Sequence, residues 1–163
     1  VVHGPGEGLE AGFELVVVSS PRPDIDVPGL RWRFVPWSPE VETHVADLFD
    51  VGIMPLVDEP YQRGKCGCKL LQYMAAGLPV VASPVGINAD LVSHGVRGYL
   101  ANTGDEWRQA IETLLADPLL RARMGREGRR FVERDYSRRR WFPVLLDILE
   151  RVAAAPAPAA ISA

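Results

Sequence analysis

Apolar positions fall into two patterns along the chain. Short continuous runs occur at Phe13–Ser20, Leu30–Val35, Val51–Leu56, Pro79–Ser83 and Gly98–Ala101. Runs of this length, rich in β-branched residues, fit strands covered on both faces, as in a parallel sheet. Elsewhere the apolar residues return every three or four positions. Val41, Val45, Leu48 and Phe49 form one such stripe. Trp107, Ala110, Ile111, Leu114 and Leu115 form a second, and Trp141, Leu145, Ile148, Leu149 and Val152 a third. Each predicts a helix with one buried face.

Punctuation supports these boundaries. Ser38-Pro39 offers an N-cap followed by proline at the first helical position. A helix from about Lys69 should stop at Gly77, a residue suited to the left-handed cap. Thr103 and Glu106 have capping-box spacing. Asp117-Pro118 opens a further helix, which Gly125 and Gly128 should weaken, and Ser137 caps the last one. Residues 4–12 and 57–64 read as loops, and 153–163, rich in Ala and Pro, as a disordered tail after a domain over 1–152.

Strands alternating with helices predict an α/β fold, a Rossmann-like mostly parallel sheet with helices on both faces. Ligands in such folds sit beyond the carboxyl ends of the strands. That directs attention to the loops Ser19–Gly29, Pro36–Ser38, Leu56–Gly67 and Ser83–Asn88.

Length and composition narrow the classes. The 163 residues, 47% hydrophobic and 24% charged, suit one globular domain and exclude disorder as the main state. No apolar run approaches the roughly 18 residues of a membrane span. The net charge of −3 is uneven: residues 121–140 hold nine arginines against three acidic residues. That block suits a solvated helix pair, a nucleic acid, an anionic lipid surface or a neighbouring domain. No interleaved aromatics favour base stacking, so no nucleic-acid partner is expected. Two cysteines, Cys66 and Cys68, are too few and too close for a disulfide framework or a zinc site. They read as reduced thiols of a cytoplasmic chain.

Candidate chemistry concentrates in Leu56–Gly67. Arg63, Lys65 and Lys69 bring three cations to a strand–loop–helix junction, and Gly64 and Gly67 permit close backbone approach. A helix N-terminus there would add free N–H groups, so the segment suits a diphosphate. It fits a plain polar turn as well. The loop is not a Walker A motif. Gln72 shares a helix face with Lys69 and can reach sugar hydroxyls or stay in solvent. Pro36-Trp37 can wall a nucleobase or fill the core. Cys66 as a nucleophile is conceivable at a helix start, while Asp24-Ile25-Asp26 between prolines reads as a turn and not as a metal site. No catalytic triad is visible.

Taken together, Asp50-Val51-Gly52-Ile53-Met54-Pro55-Leu56 and the stretch from Gly64 to Gly86 (GKCGCKLLQYMAAGLPVVASPVG) closely resemble the donor-binding domain of group 1 glycosyltransferases, family 4, of GT-B fold. The likeness extends through Gly95–Leu100, Met124–Arg130 and Tyr136-Ser137, and spans roughly 13–150. It implies transfer of a hexose from a UDP- or GDP-sugar to a glycan or lipid-linked acceptor, with retention and without a metal or other cofactor. It places Arg63, Gly64, Lys65, Cys66, Gly67 and Lys69 at the diphosphate and sugar, Gln72 at the ribose, and Pro36 and Trp37 beside the base.

The family's E-x7-E motif is altered here. Its second Glu aligns with Gln72 and its first with Gly64, unless Asp58 or Glu59 reaches in. The resemblance puts the acceptor site on another domain, so no catalytic residue is named. It also implies that the central first strand of the donor domain is missing. The chain therefore reads as part of a longer polysaccharide-building enzyme, cytoplasmic or peripheral at the inner face of a membrane. A same-fold nucleotide-sugar epimerase, a non-catalytic nucleotide-sugar binder and a receiver-type regulatory module are the alternatives.

Overall fold

The strand nearest the middle of the molecule, Val80–Ala82, is buried on both of its faces: Val80, Val81 and Ala82 are each fully inaccessible. In the computed structural model, which describes residues 2–3 and 13–154, this strand is flanked by two parallel partners. In chain order the elements are β1 (Val2–His3), β2 (Glu14–Ser19), β3 (Trp32–Pro36), α1 (Pro39–Thr43), α2 (Val45–Leu48), β4 (Gly52–Met54), α3 (Pro60–Arg63) and α4 (Cys68–Ala75). There follow β5 (Val80–Ala82), α5 (Asn88–Leu91), β6 (Gly98–Leu100), α6 (Gly104–Ala116), α7 (Pro118–Asp135) and α8 (Arg138–Ala154).

Side chains alternate across β5, and each side meets its own core. Val81 faces Val51, Ala101, Ala110, Leu114 and Met124, the layer of α6 and α7. Val80 and Ala82 face Leu70, Met74, Leu91 and Val92, the layer of α4 and α5. A third cluster, Val16, Phe49 and Leu78, joins β2 to α4 through Tyr73 and Ala76.

The expected α/β fold is present, with parallel pairing in β2–β3 and in β4–β5–β6. The strands form two three-stranded sheets, β1–β2–β3 and β4–β5–β6, and not one. β2 and β4 share no hydrogen-bonded neighbour, and the edge of β2 away from β3 takes β1 in antiparallel sense.

Several local expectations need correction. The helix predicted from Ser38 to Phe49 is capped as foreseen, with Val41 N–H donating to Ser38 Oγ at 3.2 Å. It then breaks at His44, whose ring Nδ1 and whose neighbour Thr43 Oγ1 both compete for the Glu40 carbonyl, each at 2.8 Å. The 57–64 loop contains the single turn α3, and the unforeseen α5 follows Ser83–Ile87. Neither turn is long enough to show a period in sequence.

Gly125 and Gly128 do not interrupt α7. They are the points where it touches α4 and the turn that ends α4: a Cβ on Gly125 would strike the Gly77 carbonyl, and one on Gly128 would lie 3.1 Å from Met74 Cγ. Arg121, read as part of a charged block, donates to the Leu114 and Leu115 carbonyls at 2.7 and 2.9 Å, closing the end of α6. In α8, which Ser137 begins as expected, the apolar stripe is not buried; Trp141, Leu145, Ile148, Leu149 and Val152 are all exposed. That helix runs to Ala154, two residues into the predicted tail; the rest of the tail and the 4–12 loop lie outside the described residues.

Candidate functional site

The carboxyl ends of β4 and β5 are tied together by side chains from the loops that follow. Ser83 Oγ accepts the Leu56 N–H at 3.0 Å, and Ser83 N–H donates to the Met54 carbonyl at 3.2 Å. Asn88, 1% exposed, donates from Nδ2 to the Ser83 carbonyl at 3.1 Å. Its Oδ1 is buried without a partner among the described residues, on the side of Gly67. The loop Ser83–Asn88 was singled out in the sequence, but the burial of Ser83 and Asn88 was not, because a polar residue in a loop gives no signal of burial.

Between these strands the chain builds the start of α4. Gly67 is its N-cap, at φ +66°, a left-handed conformation that costs other residues about 1–2 kcal/mol. Leu91 and Ile87 occupy the space that a Cβ would need. No side chain caps this helix, whereas Ser38, Thr103, Asp117 and Ser137 cap α1, α6, α7 and α8. The first in-helix bond is Leu71 N–H to Gly67 O at 3.2 Å. The N–H groups of Cys68, Lys69 and Leu70 therefore have no helical acceptor, and they carry the positive end of the helix dipole.

Lys69, at the second position of α4, and Gln72, one turn on, line a small cavity of about 70 Å³ with Trp37, Glu42 and Tyr73. Gln72 Nε2 donates to a Glu42 carboxylate oxygen. Trp37, 46% exposed, is anchored by its backbone N–H, which donates to the Ser19 carbonyl at 3.1 Å, directly after Pro36 ends β3. Burial pushes the Tyr73 hydroxyl above its ordinary pKa. An aromatic face, a carboxylate, an amide and an ammonium group thus meet at one spot. Lys69, Gln72 and Trp37 were expected; Glu42 was not, since it lies thirty positions before Gln72.

The remaining predicted residues lie along the loop before α4. Arg63 is engaged by Asp58 through two hydrogen bonds of 2.6 and 3.0 Å. That pairing holds the Asp58 carboxyl below its usual range and raises the Arg63 guanidinium. Asp58 therefore reaches Arg63, which answers where that loop carboxylate goes. Glu59 caps α3 without a side-chain bond. Lys65 Nζ lies 5.8 Å from the centre of the Tyr61 ring. Gly64 ends α3 with ordinary helical angles, and a Cβ there would meet nothing closer than 3.6 Å, so its glycine identity is not demanded by the backbone. Gly86 is different: at φ +55°, its missing Cβ would stand 2.5 Å from the Arg63 carbonyl, so the two loops close on each other. Cys66 and Cys68 are both exposed.

A larger cleft, about 380 Å³, lies away from these residues beside β6 and α6. Two of its polar groups serve the fold. His94 Nδ1 accepts the Leu100 N–H at 3.1 Å, and Glu106 accepts from Asn102 and Thr103. Among the described residues no group of three or more His, Cys, Asp or Glu side chains is placed to hold a metal, and no helix is long and apolar enough to cross a membrane.

A family model described as "Glycosyl transferases group 1" matches residues 8–117, two thirds of the chain and all of the elements that build the site. The chain belongs to the group 1 glycosyltransferases. It is 35% identical over 95 residues to N-acetyl-alpha-D-glucosaminyl L-malate synthase of Bacillus anthracis, covering 56% of this chain and 24% of that protein. The fold is similar to that of sucrose-phosphate synthase from Thermosynechococcus elongatus, with TM-score 0.68 and 26% identity over 77% of this chain and 31% of the other. Anabaena HepE, solved with UDP and glucose, has the same fold at TM-score 0.62 and 21% identity, over 77% of this chain and 32% of HepE. This group 1 chain spans less than a third of the length of these relatives.

Proposed function

We propose that this chain holds the nucleotide-sugar donor of a glycosyltransferase. The observation that carries the reading is that Lys69, in the first turn of the uncapped α4, lines the small cavity together with Trp37, Glu42 and Gln72. Trp37 offers a face for a base, and Glu42 with Gln72 offers hydrogen bonds to ribose hydroxyls. The free N–H groups of α4 and Lys69 lie next along the surface, where a diphosphate attached to that ribose would reach.

The chemistry follows from charge. When a sugar leaves a nucleotide diphosphate, negative charge grows on the diphosphate. The α4 amides are fixed before the reaction, Lys69 and Lys65 stand beside them, and all gain interaction energy as that charge develops. A preorganised donor of this kind is worth about 2.7–4 kcal/mol in the transition state. Arg63, held by Asp58, contributes less charge than the sequence implied and more order to the loop. Glu42 supplies beside Gln72 the carboxylate that the altered motif lacks at that position.

The presence of UDP in the HepE structure supports a UDP-type donor. The wider reading rests on the sequence resemblance: a retaining, metal-independent hexosyl transfer of family 4 type, with a glycan or lipid-linked acceptor held by a further domain at the cytoplasmic side. The epimerase and receiver-module alternatives find no support in a match to glycosyl transferases.

Calorimetric titration of the chain with UDP, GDP and UMP tests the reading. A diphosphate should bind at least tenfold more tightly than the monophosphate, because only it reaches the start of α4. Equal affinity for UDP and UMP, or no binding of any nucleotide, overturns it.

A further inference from the structure

Cys66 and Cys68 flank Gly67, and both thiols are exposed. The angles of the residue between two others set their Cα separation. Gly67, at φ 66° and ψ 17°, has the mirror image of a helical turn. Helical geometry places Cα atoms two positions apart at about 5.4 Å, whereas a strand places them at about 6.6 Å. Disulfides span 4.4–6.8 Å between Cα atoms, most often about 5.5–6 Å. The turn at Gly67 therefore brings the two Cα atoms to a separation well inside the range that disulfides span, where an extended segment would lie at its limit. The turn is also held in place, since Leu91 and Ile87 pack where a Gly67 side chain would be. Cys68 is the first residue of α4, and Cys66 belongs to no helix or strand. Cys66 is thus the partner free to rotate.

We propose that Cys66 and Cys68 are a redox-active dithiol that closes to an intramolecular disulfide by exchange with a low-molecular-weight disulfide. The Cys66 thiolate attacks one sulfur of the oxidant and releases one thiolate, forming a mixed disulfide. The Cys68 thiolate then attacks Cys66 Sγ and releases the second. The chain loses two protons and two electrons, and the oxidant becomes two thiols. Exposed or strained disulfides are the readily reduced ones, so a ring spanning a single residue is reversible. Closure draws Cys66 against the start of α4 and removes the freedom of the segment that faces the free N–H groups. Only this last consequence rests on the nucleotide reading.

The test is to treat the reduced chain with oxidised glutathione and follow it by mass spectrometry and thiol alkylation. The expected product is a monomer that has lost two hydrogens and takes no alkylating reagent, while Cys68→Ser stops at one glutathione adduct on Cys66. Two stable adducts on the unaltered chain, an intermolecular dimer, or thiols that remain alkylatable overturn the proposal. UDP titration then reads the consequence: binding should weaken at least threefold on oxidation and recover with dithiothreitol. A disulfide that leaves UDP affinity unchanged overturns the link to α4. A reduced chain that binds no UDP overturns the nucleotide reading instead, and the mass result still decides the dithiol.

Discussion

Two helices of this chain begin in opposite ways. At α6, Thr103 Oγ1 accepts the Glu106 N–H at 3.3 Å, and the Glu106 carboxylate accepts from Asn102 and Thr103 at 2.6 and 3.1 Å. Three backbone donors are satisfied there by side chains. At α4, a glycine stands where a capping side chain would, and three N–H groups are left to whatever arrives. The first helix start spends its hydrogen bonds on folding. The second withholds them, and it is the one bordered by Lys69, Gln72 and Trp37. Among the described helices of eight or more residues α4 alone lacks a side-chain cap, and the proposed donor site is the reading that gives its free N–H groups a partner.

The sharpest way to break this contrast is Gly67→Ala. The substitution adds left-handed strain to a clash with Leu91 and Ile87, for a combined loss of about 2–5 kcal/mol. Denaturant unfolding should show that loss, and UDP titration should show binding abolished. A stable variant with unchanged affinity would remove the backbone at Gly67 from the site. Next in size, Lys69→Ala should weaken UDP binding at least tenfold, about 1.4 kcal/mol, with the melting temperature unchanged. If stability falls instead, Lys69 belongs to the fold.

Thr103→Ala is the converse experiment. Loss of the cap should cost about 1 kcal/mol of stability and leave UDP affinity untouched. The smallest effect is one of pH. N–H groups of Asn102 and Thr103 hold the Glu106 carboxyl below the usual glutamate range. Its contribution is complete above the unfolded-state pKa and is lost as pH falls through the lowered folded value. Unfolding measured across that acidic window should show a slope that Glu106→Gln flattens.

The parts of the molecule legible in sequence are those fixed by local rules. The five strands, the capping box and the stop at Gly77 depend on neighbours within a few positions. Lys69, Gln72 and Trp37 could be singled out because a loop after a strand and a helix face are local patterns too. What was missed depends on contacts distant in sequence. Gly125 looks like a helix breaker until Gly77 is seen against it. Glu42 looks like an ordinary first-turn acid until Gln72 reaches it. Asn88 reads as loop polarity, yet it is buried. The error at α8 runs the other way: an amphipathic stripe shows which face avoids water, not that this chain supplies the cover.

The division into two sheets has a consequence for hydrogen exchange. β5 is flanked by strands on both sides and inaccessible on both faces, so its amides should open only with the largest cooperative unit. β2 and β3 belong to another ladder and can open without breaking a single bond of β5. The small cavity straddles this seam, taking Trp37 and Val18 from one side and Lys69 and Gln72 from the other. A ligand seated there would stitch the two units together. Its footprint in deuterium uptake should then be strongest in β2 and β3, the strands farther from the buried centre, and faint in β5, whose protection is already complete.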